Sequence, residues 1–154
     1  MIMIEELVKE NTLIELCTMP NKQIYSFFNK ESNLIIVDCN LNFYLSGFVT
    51  NFIFDINDLF IFLEKQTNKT IIIDYLNFYF DQVNNPLIIF NNLWECVYKG
   101  NKIIIINHFH EYKKNLQSKH MSLYNKMCTH KITYKNEFIL QKNKEFKLIN
   151  LKSL

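Results

Sequence analysis

Two runs dominated by isoleucine, TIIID at 70–74 and KIIIIN at 102–107, constrain this chain more than anything else in it. A strand with one face in water alternates apolar and polar residues. A strand without that alternation is buried on both faces, as in a parallel sheet covered by helices on either side. Three further short runs, TLIELC at 12–17, NLIIVD at 33–38 and NFIF at 51–54, extend the set to five expected strands.

Between the runs lie segments with helix-start signals: Asn21 before KQIYSFFNK, Asp55 or Asn57 before DLFIFLEKQ, and Asn85-Pro86 before LIIFNNLWECVYK. A cap residue followed by proline opens a helix well, and Gly100 directly after Lys99 closes one. Strand, helix and strand at this spacing imply right-handed crossovers and a doubly wound sheet with helices on both faces. After Asn107 the pattern changes. A polar segment, HFHEYKKNLQSKH, leads through MSLYNKM to three strand-like runs at 129–134, 137–141 and 145–151, joined by polar turns. They are expected to form an antiparallel meander extending the sheet. Neither repeat nor linker is visible, so residues 1–154 read as one domain.

At 154 residues with 49% hydrophobic and 15% aromatic content, the chain has enough apolar mass for a core and is not of the disordered class. All seventeen basic residues are lysine, alanine is absent, and there are only two glycines, Gly47 and Gly100, as an AT-rich coding sequence would produce. Cys17, Cys39, Cys96 and Cys128 are widely separated, and the first three fall on apolar segments, which suits reduced cysteines of an intracellular protein. Cys128 and His130 with His108, His110 and His120 lack the paired spacing of a zinc site, so no metal and no cofactor is expected. The start, MIMIEELVKE, is acidic where a signal sequence is basic, and no apolar run approaches twenty residues; no membrane partner is expected. Residues 1–112 carry seven Lys against thirteen acidic residues, net −6, while 113–154 carry ten Lys against two Glu, net +8. The basic end is either a polyanion surface or a solvated hairpin.

Taken in order, these pieces resemble the ATPase core of the RecA-type recombinases, and especially their short eukaryotic paralogues. TLIELCTMPNKQIYSFF is similar to the first strand, phosphate loop and helix; LIIVDCNLNFYLSGF and NFIFDINDLFIFLEK resemble the next two strand–helix pairs. TIIIDYLNFYF resembles the strand that carries the metal-site Asp, and KIIIIN the strand before a DNA-binding loop. The resemblance spans nearly the whole chain. It implies an α/β fold, a RecA-like three-layer sandwich whose mostly parallel central sheet is flanked by helices, with a C-terminal antiparallel extension.

Where the family has a glycine-rich loop ending in Lys and Thr, this chain has CTMPNKQ at 17–23, shorter, without glycine and without a hydroxyl after Lys22. The backbone amides of such a loop do not wrap a triphosphate. Where the resemblance places a catalytic Glu after Asp38, Asn40 stands, and it is no general base. Lys22, Asp38, Asp74 and Asn107 are therefore expected to be vestigial nucleotide-site positions without catalytic residues among them. Asp74 reads as a structural strand-end carboxylate rather than a metal ligand, and Asn107 as a strand-end turn residue.

The segment 108–120 is the functional candidate. It interleaves Phe109, His110 and Tyr112 with Lys113, Lys114 and Lys119, the mixture of rings and cations that single-stranded nucleic acid needs. The competing reading is an ordinary polar loop.

By resemblance the chain is expected to be a catalytically inactive recombinase paralogue, similar to the small subunits of mediator complexes such as the Shu complex. It would work in the nucleus beside other recombinase paralogues or a SWIM-type partner, bind single-stranded DNA, and support recombinase filaments in homologous recombination and DNA repair. Two alternatives belong to other classes: a RecA-like scaffold subunit of an Elongator-type tRNA-modification complex, and an STAS-like regulatory domain. An active ATPase is disfavoured by the loop.

Overall fold

The structure, a computed structural model, describes the backbone of residues 3–19, 22–112, 115–118, 120–135, 137–142 and 145–149. Among the described residues eight strands make one sheet: β1 (Leu13–Thr18), β2 (Leu34–Asp38), β3 (Thr70–Asp74), β4 (Lys102–Tyr112), β5 (Asn115–Ser118), β6 (His130–Tyr134), β7 (Phe138–Lys142) and β8 (Glu145–Ile149). Their order is β2-β3-β4-β1-β6-β7-β8, with β5 pairing only the far end of β4. The first five in that order are mutually parallel. β7 and β8 then add antiparallel strands.

The unbroken apolar runs do what their lack of alternation requires. Ile71, Ile73, Ile103 and Ile105 enter one core, under α2 (Ile56–Glu64), α3 (Leu87–Tyr98) and the 3-10 helix Leu76–Gln82. Ile72, Ile104 and Ile106 enter the other, under the 3-10 helices Ile4–Glu6 and Lys22–Phe27 and the short α1 (Asn42–Leu45). A side chain is buried at every position of such a strand because period-two alternation now points to two cores instead of to core and water. A final short helix, α4 (Met121–Met127), precedes β6 and buries Tyr124 in the first core.

Helix boundaries follow their caps. Asp55, not Asn57, caps α2, its carboxylate accepting from the amides of Asn57 and Asp58. Asn85 Oδ1 accepts from Leu87 N at 3.0 Å as α3 begins, and Gly100, at φ +93°, ends it. A side chain there is strained at that φ, and its Cβ would stand 2.3 Å from Asn68 Oδ1, which would have to move. Asn101 then ties three elements together, its amide donating to Gln66 O and Cys96 O while its carbonyl accepts from Lys69 N.

Four expectations are corrected. NFIF at 51–54 is not a strand: it touches β2 through a single bridge, Val37 to Asn51, then runs extended into the α2 cap. After that one bridge the chain turns from the edge of β2 to the cap at Asp55, so no ladder forms. The first run of the supposed meander, β6, pairs parallel with β1, so only β7 and β8 form the antiparallel extension. The segment after KIIIIN is not a loop either, because β4 continues to Tyr112 and folds back through β5 as a two-stranded ribbon. The helix after β1 is a single 3-10 stretch, Lys22–Phe27. Among the described residues no helix is long and apolar enough to cross a membrane.

Candidate functional site

The carboxyl ends of β2 and β3 stand side by side, with Asp38 and Asp74 paired in register. Alternation from Ile36 and Ile72 points both carboxylates to the face that carries Tyr25. Both aspartates are fully buried. Asp74 has both oxygens engaged: Oδ2 accepts from the Tyr25 hydroxyl at 3.0 Å and Oδ1 from Asn40 Nδ2 at 2.9 Å. Asp38 Oδ2 accepts from Tyr44 N at 2.9 Å, while its Oδ1 has no hydrogen-bond partner.

The local chain explains this arrangement. Tyr25 hangs from the 3-10 helix that follows β1, and Phe43 holds its ring edge-on at 4.7 Å. Asn40 sits in the turn between β2 and α1, where its own carbonyl accepts from Asn42 N. Burial raises the Asp74 carboxyl to about 7, the bonds from Asn40 and Tyr25 pull it down, and the neighbouring Asp38 pushes it up. Burial and the Asp74 charge push the Tyr25 phenol upward, so it stays protonated and serves as donor.

The connection from β1 to the next helix is short. Thr18 ends the strand, Lys22 begins the helix, and only residues 19–21 lie between. The Thr18 hydroxyl donates to Met19 O at 3.0 Å. The side chain of Lys22 lies outside the described residues, and Gln23 follows it.

Asn107 faces away from this site. It belongs to the face of Ile103 and Ile105, where its amide donates to Glu15 Oε2 at 2.8 Å. Glu15, in the middle of β1, is fully buried; its Oε1 makes no hydrogen bond and lies 3.8 Å from Lys131 Nζ on β6. The signal for Glu15 was a carboxylate inside the apolar run TLIELC, which belongs in water unless something holds it. No comparable signal marked Tyr25, whose partner is 49 residues away.

The ribbon after β4 carries the remaining candidates. Register pairs Phe109 with Ser118, His110 with Gln117 and Tyr112 with Asn115. Phe109 is only 6% exposed, and Lys131 Nζ stands 5.9 Å from its ring centroid, so this ring is packed rather than offered to a base. Next to it, burial lowers the His108 imidazole and favours its neutral form. For His110 and Tyr112 the structure describes the backbone alone, and Lys113, Lys114 and Lys119 lie outside the described residues.

One surface was not anticipated. Beyond β2, the segment from the turn before α1 to the α2 cap exposes Leu41, Tyr44 (56%), Leu45 (75%), Val49 (92%), Phe52 and Phe54. Tyr44 and Phe52 touch edge-on at 5.7 Å. So many large apolar side chains exposed on one short stretch are unusual on a monomer's surface.

No protein-family model and no curated protein matches the chain. Among solved structures, a KaiC-like protein from the hyperthermophilic archaeon Pyrococcus horikoshii superposes with a TM-score of 0.59 at 11% identity, covering 95% of this chain and 85% of that one. The RadB recombinase superposes with a TM-score of 0.55 at 10% identity, covering 92% and 88%. These likenesses establish the fold: a RecA-like α/β sandwich with a mostly parallel sheet and a C-terminal antiparallel extension. The STAS-like alternative falls with it, since that fold closes with a helix where β6, β7 and β8 follow here.

Proposed function

We propose that this chain is a non-catalytic RecA-like subunit of a recombination-mediator complex, in which it binds single-stranded DNA and supports recombinase filament assembly during DNA repair. One observation carries the non-catalytic part: both Asp74 oxygens are taken by Tyr25 and Asn40 in a fully buried position. A carboxylate that holds a nucleotide-bound magnesium keeps an oxygen open toward substrate phosphates. Here opening one means stripping a hydrogen bond from a buried charge.

Three residues between β1 and the helix, none of them glycine, leave too little backbone to cradle a triphosphate, and no hydroxyl follows Lys22. The residues present do not fit a magnesium–nucleotide group. Calorimetry with ATP and magnesium should therefore detect no binding, and a magnesium-dependent micromolar dissociation constant would sink this reading.

DNA contact falls to the segment 110–119, by the mixture of Lys113, Lys114 and Lys119 with His110 and Tyr112. Phosphate contacts by lysine release counterions, so retention of single-stranded oligonucleotides should weaken steeply with salt. Changing all three lysines to Glu should abolish it. The exposed strip of residues 41–54 supports membership in a hetero-oligomer with another recombinase paralogue or a SWIM-type partner, in the nucleus. Affinity capture followed by mass spectrometry tests this directly: a tRNA-modification complex among the captured proteins would replace the recombination reading with the Elongator-type one.

A further inference from the structure

The buried Glu15 borders a polar cavity of about 140 Å³ that opens between α4, β6 and β7, with Tyr124, Cys128, Lys131 and Gln141 also on its wall. Room of that size exceeds a single water and holds a six-membered ring. The carboxylate is held on one side only, by Asn107 at Oε2, while Oε1 is buried without a hydrogen bond. Lys131 Nζ lies 3.8 Å from Oε1, too far for a hydrogen bond and close enough to balance the charge. Its side chain is 17% exposed at the mouth and rests over the Phe109 ring, a position from which it can swing aside.

A buried acceptor with a cation beside it has a specific complement. A planar group presenting a donor and an acceptor on adjacent atoms places its N–H on Glu15 Oε1, which gains the bond it lacks, and its oxygen or ring nitrogen on Lys131 Nζ. Cyclic amides and nucleobases carry such an edge. We propose that this cavity is a binding site for a nucleobase-type amide edge, read by Glu15 and Lys131. It lies on the opposite face of the sheet from Asp74 and does not depend on the ribbon lysines.

Uridine is the probe, followed by proton–nitrogen NMR on the full chain. Trp94, the single tryptophan, reports on the site because its indole N–H donates to Met127 O at the end of α4, beside Cys128. The expected result is a saturable shift of the Trp94 indole and of residues 128–131, with 3-methyluridine, which lacks the donor, at least about tenfold weaker. Glu15→Gln should lose the response: Asn107 keeps the Gln carbonyl, so an amide donor faces the cavity where an acceptor is needed. Lys131→Met should weaken it about tenfold, the loss of one charge-assisted bond. An oligothymidylate that elicits the same Gln-sensitive shifts assigns the site to single-stranded nucleic acid, and a response to uridine alone assigns it to a free base or nucleoside. The variant with Lys113, Lys114 and Lys119 changed to Glu should still respond to uridine, whatever it does to DNA retention. Absence of a saturable shift up to roughly 10 mM uridine, or shifts that survive Glu15→Gln, overturn the proposal.

Discussion

Asp74 and Glu15 are both carboxylates fully buried in the same sheet, one on each face, and their surroundings treat them differently. Asp74 stands at a strand end with both oxygens bonded, by donors from two separate elements. Glu15 stands mid-strand with one oxygen bonded and the other facing an ammonium across a gap that opens to a cavity. A saturated carboxylate has no further chemistry to offer at modest cost; a half-satisfied one beside a cavity does. Strand-end position, the usual mark of function in an α/β sheet, thus falls here on the carboxylate whose two oxygens are both bonded.

The largest expected effect is on pH dependence. Because the folded carboxyl of Asp74 is raised to about 7 against an ordinary value near 3.8, the folded state binds more protons than the unfolded between those values. Its contribution is then most favourable below pH ~4 and is lost as pH rises through about 7, a swing on the order of 4 kcal/mol. Asp74→Asn should flatten that stretch of the stability curve and raise stability at pH 8, as read by urea unfolding at a series of pH values. A metal-binding Asp74 would show the contrary, magnesium protecting the natural chain and not the variant.

Next in size is Tyr25→Phe, which leaves Asp74 Oδ2 buried without a donor. It should destabilise by about 1.5 to 3 kcal/mol at pH 8 and by less at pH 5, where Asp74 is protonated. Equal loss at both pH values would mean that the tyrosine acts through packing on Phe43 alone. Glu15→Gln should be milder, about 1 kcal/mol, since its Oε1 has no hydrogen bond to lose and Lys131 keeps some contact with water. A loss as large as that of Tyr25→Phe would erase the contrast between the two carboxylates.

The smallest effect on stability, within about 0.5 kcal/mol, is expected for Val49→Lys together with Leu45→Lys, since both side chains are mostly in water. The same pair should abolish capture of the partner. Capture unchanged by two lysines in the centre of this strip would move the interface elsewhere on the molecule.

Much of the fold was legible because its signals are local. The isoleucine runs at 70–74 and 102–107 required two cores, Asp55 and Asn85 announced helix starts, and Gly100 announced a stop. NFIF misled because β-propensity describes a residue's fit to a half-buried surface, and the edge beyond β2 provides one bridge where a strand needs a ladder. The ribbon was hidden because polar residues such as His108, His110 and Lys113 read as loop, whereas pairing of β4 with β5 is set by backbone register.

The candidate site was legible only as far as which carboxylates ended which strands. Asp38 and Asp74 were each read at a strand end; that the two strands are neighbours, with the carboxylates paired in register, came from the structure. Asn107 was placed with them and belongs to the other face. Counting from Ile105 would have shown that, since alternate residues share a face; its partner Glu15, 92 positions away, is beyond any local count.

What the sequence alone determined is therefore the architecture: burial on two faces, crossovers between strands, and a stretch at 17–23 that holds no glycine. These are properties of contiguous residues. What only the tertiary structure decided is which buried charge is quenched and which remains open. That depends on strand order, which brings Tyr25 and Asn40 onto Asp74, and Asn107 and Lys131 onto Glu15, across separations of tens of residues. A periodic pattern tells a side chain which face it points to, and only the packed sheet tells it what it meets there.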